Sequence, residues 1–214
     1  IFKFHFPAPP PEPPPPMVKY LIGTSDNRTI QSNHILWPSC YGGSALVILG
    51  VHGAPWYELR SQAALTVSFW CMRAFLYFPP LNLPATAKIL GATMQFYYTF
   101  TEKTSSPGFP YIYLMRSYWG PPVYTGMWGF ENSESEALGQ IHLDNITPGQ
   151  YNDIVLNQSG LDFLENTAIN RFCVRAETDA KNLSPRLGNN EARYHSEQKG
   201  AGFFPMLKVS YYPA

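Results

Sequence analysis

LTVSFWCMRAFLYF, Leu65 to Phe78, is the stretch on which the reading of this chain turns. Its aromatic and β-branched residues favour a strand, and a period of two puts Met72, Ala74, Leu76 and Phe78 on one face. Pro79-Pro80 ends the run, because proline has no N–H to give to a ladder. Nowhere after Met17 does a helical period persist for long.

Working outward, the same signals predict strands at Val18–Gly23, Ile89–Thr101, Tyr111–Tyr118, Ile141–Ile146, Tyr151–Leu156, Ala168–Glu177 and Met206–Tyr212, with Ser44–Val51 an apolar strand or loop. Turns are marked by Thr24 to Arg28, by Ser106-Pro107-Gly108 and by Thr147-Pro148-Gly149. One short helix is expected, from Ser159 or Gly160 to Glu165, with Asn166 as its C-terminal cap. Strands spaced roughly ten to fifteen residues apart predict an all-β domain, 17–214, folded as a sandwich of two antiparallel sheets. The 214 residues suffice for one such domain with a real core.

Residues 1–16 are different. Ile1–Phe6 reads IFKFHF, with Phe2, Phe4 and Phe6 on one face of a strand and Lys3 and His5 on the other. Residues 7–16, PAPPPEPPPP, predict a polyproline II rod of about 3.1 Å per residue, roughly 30 Å long. A strand carrying three phenylalanines beyond such a spacer needs a distant surface to cover it. Strand addition to the open sheet edge of a neighbouring copy would do so.

Composition narrows the function. Charged residues make up only 14% of the chain, with 15 basic residues against 15 acidic ones, which excludes an electrostatic nucleic-acid binder or a polybasic membrane-surface protein. The longest uncharged apolar stretch, Gly42 to Val51, is far shorter than the roughly 20 residues that span a bilayer, so no membrane span is expected. The chain opens on Ile1-Phe2-Lys3 without Met, which reads as a processed, exported protein of the cell surface or extracellular space. Four sequons, at Asn27, Asn145, Asn157 and Asn182, are candidates for N-glycosylation.

Three cysteines, Cys40, Cys71 and Cys173, allow three pairings. Cys71-Met72-Arg73 and Cys173-Val174-Arg175 share a Cys-x-Arg pattern in two strand-like runs, which favours a Cys71–Cys173 disulfide if those strands are neighbours. Three buried thiols remain the alternative.

The order and spacing of motifs from Arg73 to Tyr212 resemble the DNRLRE-type modules of secreted microbial surface proteins, which are similar to carbohydrate-binding modules. RAFLYFPPLNLPATAKILGATMQFYYTF (73–100) resembles that family's strand, Leu-Pro loop and following strand, with Gly91 and Ala92 in small-residue positions. LDFLENTAINRFCVRAETD (161–179) resembles its helix leading into a strand, and GFFPMLKVSYYP (202–213) its closing strand. The resemblance implies a jelly-roll β-sandwich. Its motifs are core positions, so it speaks to fold and leaves the partner open.

Catalysis finds little support. His5, His34, His52, His142 and His195 are scattered without a metalloprotease or nucleophile-elbow motif, and no carboxylate pair stands out. Glu131, Glu134 and Glu136 form an acidic cluster without a calcium-loop spacing and read as a solvated loop. No catalytic residue, metal or cofactor is expected.

Aromatic residues are the richest feature. Trp37, Tyr41, Trp56, Tyr57, Trp119, Tyr124 and Trp128 lie in Gly- and Pro-rich surroundings. Two functions follow. The first is a non-enzymatic structural subunit of a filament or surface assembly, whose partners are copies of itself joined by Phe2, Phe4 and Phe6. Burying three phenylalanines contributes roughly 5 to 9 kcal/mol before ordering costs. The second is a carbohydrate-binding module or fibre tip that stacks glycans on Trp37, Trp56, Trp119 and Trp128. Interfaces also enrich aromatics and deplete charge, which places packing ahead of sugar binding.

Overall fold

A computed structural model describes residues 14–23, 28–34, 47–49, 56–63, 69–103, 110–117, 137–166, 170–183, 188–195 and 202–213. Among these residues a network of 12 strands runs in the order β1 (Met17–Ile22), β2 (Arg28–His34), β3 (Val47–Leu49), β4 (Trp56–Ala63), β5 (Phe69–Phe78), β6 (Lys88–Lys103), β7 (Tyr111–Arg116), β8 (Ala137–His142), β9 (Gln150–Val155), β10 (Asn170–Ala176), β11 (Gly188–His195) and β12 (Met206–Tyr212). Two short helices, α1 (Gln158–Asn166) and α2 (Glu177–Ala180), flank β10. Every ladder is antiparallel. The fold is the expected all-β, sandwich-like architecture.

Two layers form because the two longest strands each change partner along their length. Strand β6 pairs with β12 from Lys88 to Gln95 and with β11 from Tyr98 to Lys103, while β9 takes its other edge. Strand β5 pairs with β10 from Ala74 to Phe78 and with β4 at Trp70 and Cys71, while β2 takes its other edge. One layer is therefore β1-β12-β6-β9 and the other β3-β2-β5-β10-β7-β8, joined through the β4–β11 pair. The handover on β6 is marked by a register shift between Arg193 and Tyr194, the kind of bulge that bends a strand. An isolated bridge, Gly139 with Leu156, draws β8 and β9 together on the opposite side.

The core fills the space between the layers. From β5 it takes Ala74, Leu76 and Phe78, three of the four residues the two-residue period assigns to one face, with Met72 buried beside them. Strand β6 contributes Ile89, Ala92, Met94, Phe96 and Tyr98. Phe172 meets Phe78 and Phe163 edge-on at centroid distances of 6.0 and 5.5 Å, which locks α1 to the β5/β10 pair.

Helix α1 appears where the sequence places it. Asn157 caps it, its Oδ1 accepting from the Gly160 N–H at 3.0 Å while its Nδ2 donates to the Ala137 carbonyl at 2.7 Å. Strand β8 begins and ends earlier than the expected Ile141–Ile146. The ring of His142 accepts the Asp144 N–H at 3.1 Å and turns Leu143–Asn145 into a 3-10 helix, a local bond that competes with the ladder. Strands β2, β4 and β11 were not expected: RTIQSNH, WYELRSQA and GNNEARYH are too polar to signal a strand alone, and they exist through their partners. Residues 1–13, including Phe2, Phe4 and Phe6, lie outside the described residues.

Close approach of β8, β9 and α1 depends on two glycines. A Cβ on Gly139 would stand 2.6 Å from the Val155 carbonyl oxygen, and one on Gly160 would stand 2.6 Å from that of Leu138. Neither backbone can yield without opening the bridge. Gly139→Ala and Gly160→Ala each destabilise by about 1–3 kcal/mol, read as a fall in the denaturant midpoint at unchanged slope.

Candidate functional site

The most strongly polar place in the fold is buried. Cys173 stands opposite Phe75 and Val174 opposite Ala74, so the next pair in the β5/β10 ladder brings Arg175 beside Arg73 on the face turned away from the core. After β10 the chain turns through α2, and Asp179 swings back under both arginines. Its Oδ2 accepts Arg73 Nε at 2.8 Å and Arg175 Nε at 2.7 Å, and its Oδ1 accepts their Nη2 atoms at 2.7 and 3.1 Å. Arg175 Nη2 also reaches the Asp179 carbonyl at 2.8 Å. Side-chain exposure is 0% for Arg73 and Asp179 and 1% for Arg175, so the cluster lies in a low-dielectric setting where a charge requires partners.

Burial by itself would raise the Asp179 pKa, but the charges of Arg175 and Arg73 and the hydrogen bonds from both hold it well below the usual carboxylate range. Burial likewise works against a charged Arg175, and the Asp179 carboxylate outweighs it and raises that pKa. Lys181 braces the turn, its Nζ 2.5 Å from Glu177 Oε1. The cluster is inaccessible, so it holds strands and does not meet ligands.

This arrangement is what the paired Cys-x-Arg pattern encodes. The expected neighbouring strands are present, but the Cys71–Cys173 disulfide is not made: both are buried thiols. With Cys173 opposite Phe75, Cys71 lies four residues along β5, about 13 Å, beyond the 4.4–6.8 Å Cα spacing of a disulfide. Sequence reading overlooked Asp179. The available signal was an arginine inside each of two otherwise apolar strands, which demands a buried counter-charge.

Accessible features lie elsewhere. Strand β1 ends the β1-β12-β6-β9 layer, and Val18, Tyr20 and Ile22 are 49, 55 and 51% exposed on its outer face. Leu90 and Tyr212 continue this apolar surface. A cleft of about 680 Å³ opens between the 80–87 segment, Ile89 and Leu164, and Lys19 of β1 reaches its rim by donating to the Asn82 carbonyl at 3.3 Å. A second groove of about 530 Å³ is lined by Tyr111, Gln140, His142, Asn145 and Asp153 together with Ile141 and Val155. Around Tyr97 the rings of Tyr151, His195 and Phe203 pack at 5.5, 5.3 and 4.9 Å.

Of the expected glycan-binding tryptophans, Trp37, Trp119 and Trp128 lie outside the described residues, and Trp56 begins a strand, β4, opposite His195. Among the sequons, Asn27 is outside the described residues, while Asn145, Asn157 and Asn182 are exposed. Asn157 is engaged as the α1 cap, and Asn182 stands in the left-handed region at φ 52°. Among the described residues no cluster of His, Cys, Asp and Glu could hold a metal ion, and no helix is long and apolar enough to cross a membrane. Comparison with known protein families and with curated proteins gives no match for this chain.

Asp179→Asn removes the carboxylate that the two buried guanidiniums share and costs about 3–5 kcal/mol, a melting-temperature fall of roughly 6 to 20 °C by calorimetry. Because the folded pKa of Asp179 is depressed, its stabilisation is present above the unfolded value of about 3.9 and is lost as pH falls towards the folded value. Acid unfolding of the native chain should therefore be steeper below about pH 4 than that of Asp179→Asn.

Proposed function

We propose that the chain is a non-enzymatic, extracellular structural subunit of a filament or surface assembly, which polymerises by adding its N-terminal strand, Ile1–Phe6, to a neighbouring subunit. The observation that carries this reading is the exposed apolar face of β1, a terminal strand of its layer, beginning immediately after the proline-rich segment. A sheet edge with Met17, Val18, Tyr20 and Ile22 about half exposed is a surface that soluble monomers ordinarily blunt with charge or proline. Low overall charge supports the same reading, since interfaces deplete charged residues. Phe2, Phe4 and Phe6 supply apolar area and register, and main-chain hydrogen bonds supply the pairing. The DNRLRE-type resemblance agrees with a sandwich module on a cell surface.

A second reading, glycan binding, draws support from the groove lined by Tyr111, Gln140, His142, Asn145 and Asp153, where a ring edge and several amide and carboxylate groups converge. Phe4→Asp separates the two. In the subunit reading it places a charge where a ring is buried and abolishes oligomers seen by size-exclusion chromatography and negative-stain electron microscopy, with the melting temperature of the domain unchanged. An intact chain that is already monomeric, and binds sugars on a glycan array whether or not Phe4 is replaced, would favour the second reading.

A further inference from the structure

We infer that the outer edge of β1, with the adjoining cleft, is the acceptor for Ile1–Phe6 of a second copy of this chain. This rests on the strand-addition reading above and names the surface which that reading leaves open.

The backbone identifies the edge. Gly23 N–H donates to the Pro205 carbonyl at 3.0 Å, continuing the β1–β12 ladder. Hydrogen-bonded pairs in an antiparallel ladder recur at every second residue. The uninterrupted register therefore gives Leu21–Leu207, Lys19–Val209 and Met17–Tyr211 to the bonds with β12. Val18, Tyr20 and Ile22 turn their N–H and C=O groups the other way, and among the described residues no strand takes them. The edge has the length of its proposed occupant, six residues against the six of Ile1–Phe6. It lacks the bulge or proline that would close it, and its single charge, Lys19, is drawn aside to the Asn82 carbonyl.

The cleft decides which way the occupant faces. Met17, Tyr211 and Ile89 form one column across β1, β12 and β6, and Ile89 is part of the cleft wall with Leu81, Leu83, Pro84 and Leu164. A strand added beside β1 points alternate side chains to the inner side, shared with Lys19 and Leu21, and to the outer side, shared with Val18, Tyr20 and Ile22. Phe2, Phe4 and Phe6 take the inner side and meet the apolar part of the cleft wall, which Asn82, Lys88 and Glu165 complete, leaving Lys3 and His5 in water. A slip of one residue would turn Lys3 and His5 onto Leu81 and Leu83.

The occupant comes from another copy because of the spacer. To fold back on its own β1 a strand needs a turn of about two to five residues, whereas eight prolines among residues 7–16 predict a rod of roughly 30 Å that carries Ile1–Phe6 away.

The test uses the full chain carrying Phe4→Asp, which keeps the acceptor and loses the donor, titrated by calorimetry with a peptide of residues 1–16. Binding at one peptide per chain is expected. Adding Tyr20→Pro removes an outward N–H without touching the β12 ladder and weakens binding by about tenfold or more. Tyr20→Thr restores the N–H and recovers the affinity, and Leu83→Glu in the cleft wall reproduces the loss by a route independent of β1 folding. Unaltered binding in both Tyr20→Pro and Leu83→Glu would overturn the acceptor while leaving strand addition standing. Equal loss in Tyr20→Thr and Tyr20→Pro would move the contact to the outer apolar face and overturn the edge assignment. A peptide that binds none of these chains would overturn strand addition itself, and the acceptor with it.

Discussion

Asp179 shared between Arg73 and Arg175 is the interaction around which the β5/β10 layer is organised. The two arginines project from adjacent strands on the face opposite the core, and the carboxylate returns to them from a helix of four residues. A charge buried this deeply is tolerated only with its partners in place. Slipping β10 by one residue against β5 would turn Arg175 towards Ala74 and Leu76 and bring Val174 under the acid. The cluster thus disfavours the wrong register more than it adds to the right one. It sits in a β5/β10 pair that is buried on both faces, with Cys71, Phe75 and Cys173 as hidden as Ala74 and Val174.

From that layer the rest of the sandwich follows by partner exchange. Among the described residues only three ladders join sequence neighbours, β2–β3, β4–β5 and β7–β8; β6 meets β9, β11 and β12, and β5 adds β2 and β10 to β4. Each exchange uses up an edge, and the Gly139–Leu156 bridge draws β8 and β9 together where the two layers would otherwise part. Strand β1, like β3 and β9 at the other ends of the layers, pairs along one edge only among the described residues. It enters the layer last in space although first in sequence, and its outer backbone groups meet no described partner.

That asymmetry connects fold to function. The accessible chemistry of the described residues is apolar and main-chain in character at β1, and mixed polar and apolar at the groove beside Tyr111. In the strand addition we propose, backbone pairing would set a geometry that few charged residues are needed to enforce, and the alternating phenylalanines would supply register.

The sequence by itself determined the class of fold. The alternation at Met72, Ala74, Leu76 and Phe78, the proline stops and the closing run Met206–Tyr212 are local properties, set by side-chain size and the period of a strand, and each reappears in the structure. Helix α1 was legible for the same reason, its cap being a matter of neighbouring residues. Only the tertiary structure decided what the two Cys-x-Arg segments do, because whether they share a disulfide or a carboxylate depends on register and on a residue in the following helix. The polar strands β2, β4 and β11 likewise owe their conformation to partners far along the chain. The open edge of β1 belongs to the same category: hydrogen bonds left over after folding are a property of how strands are ordered in space, which no local pattern of residues records.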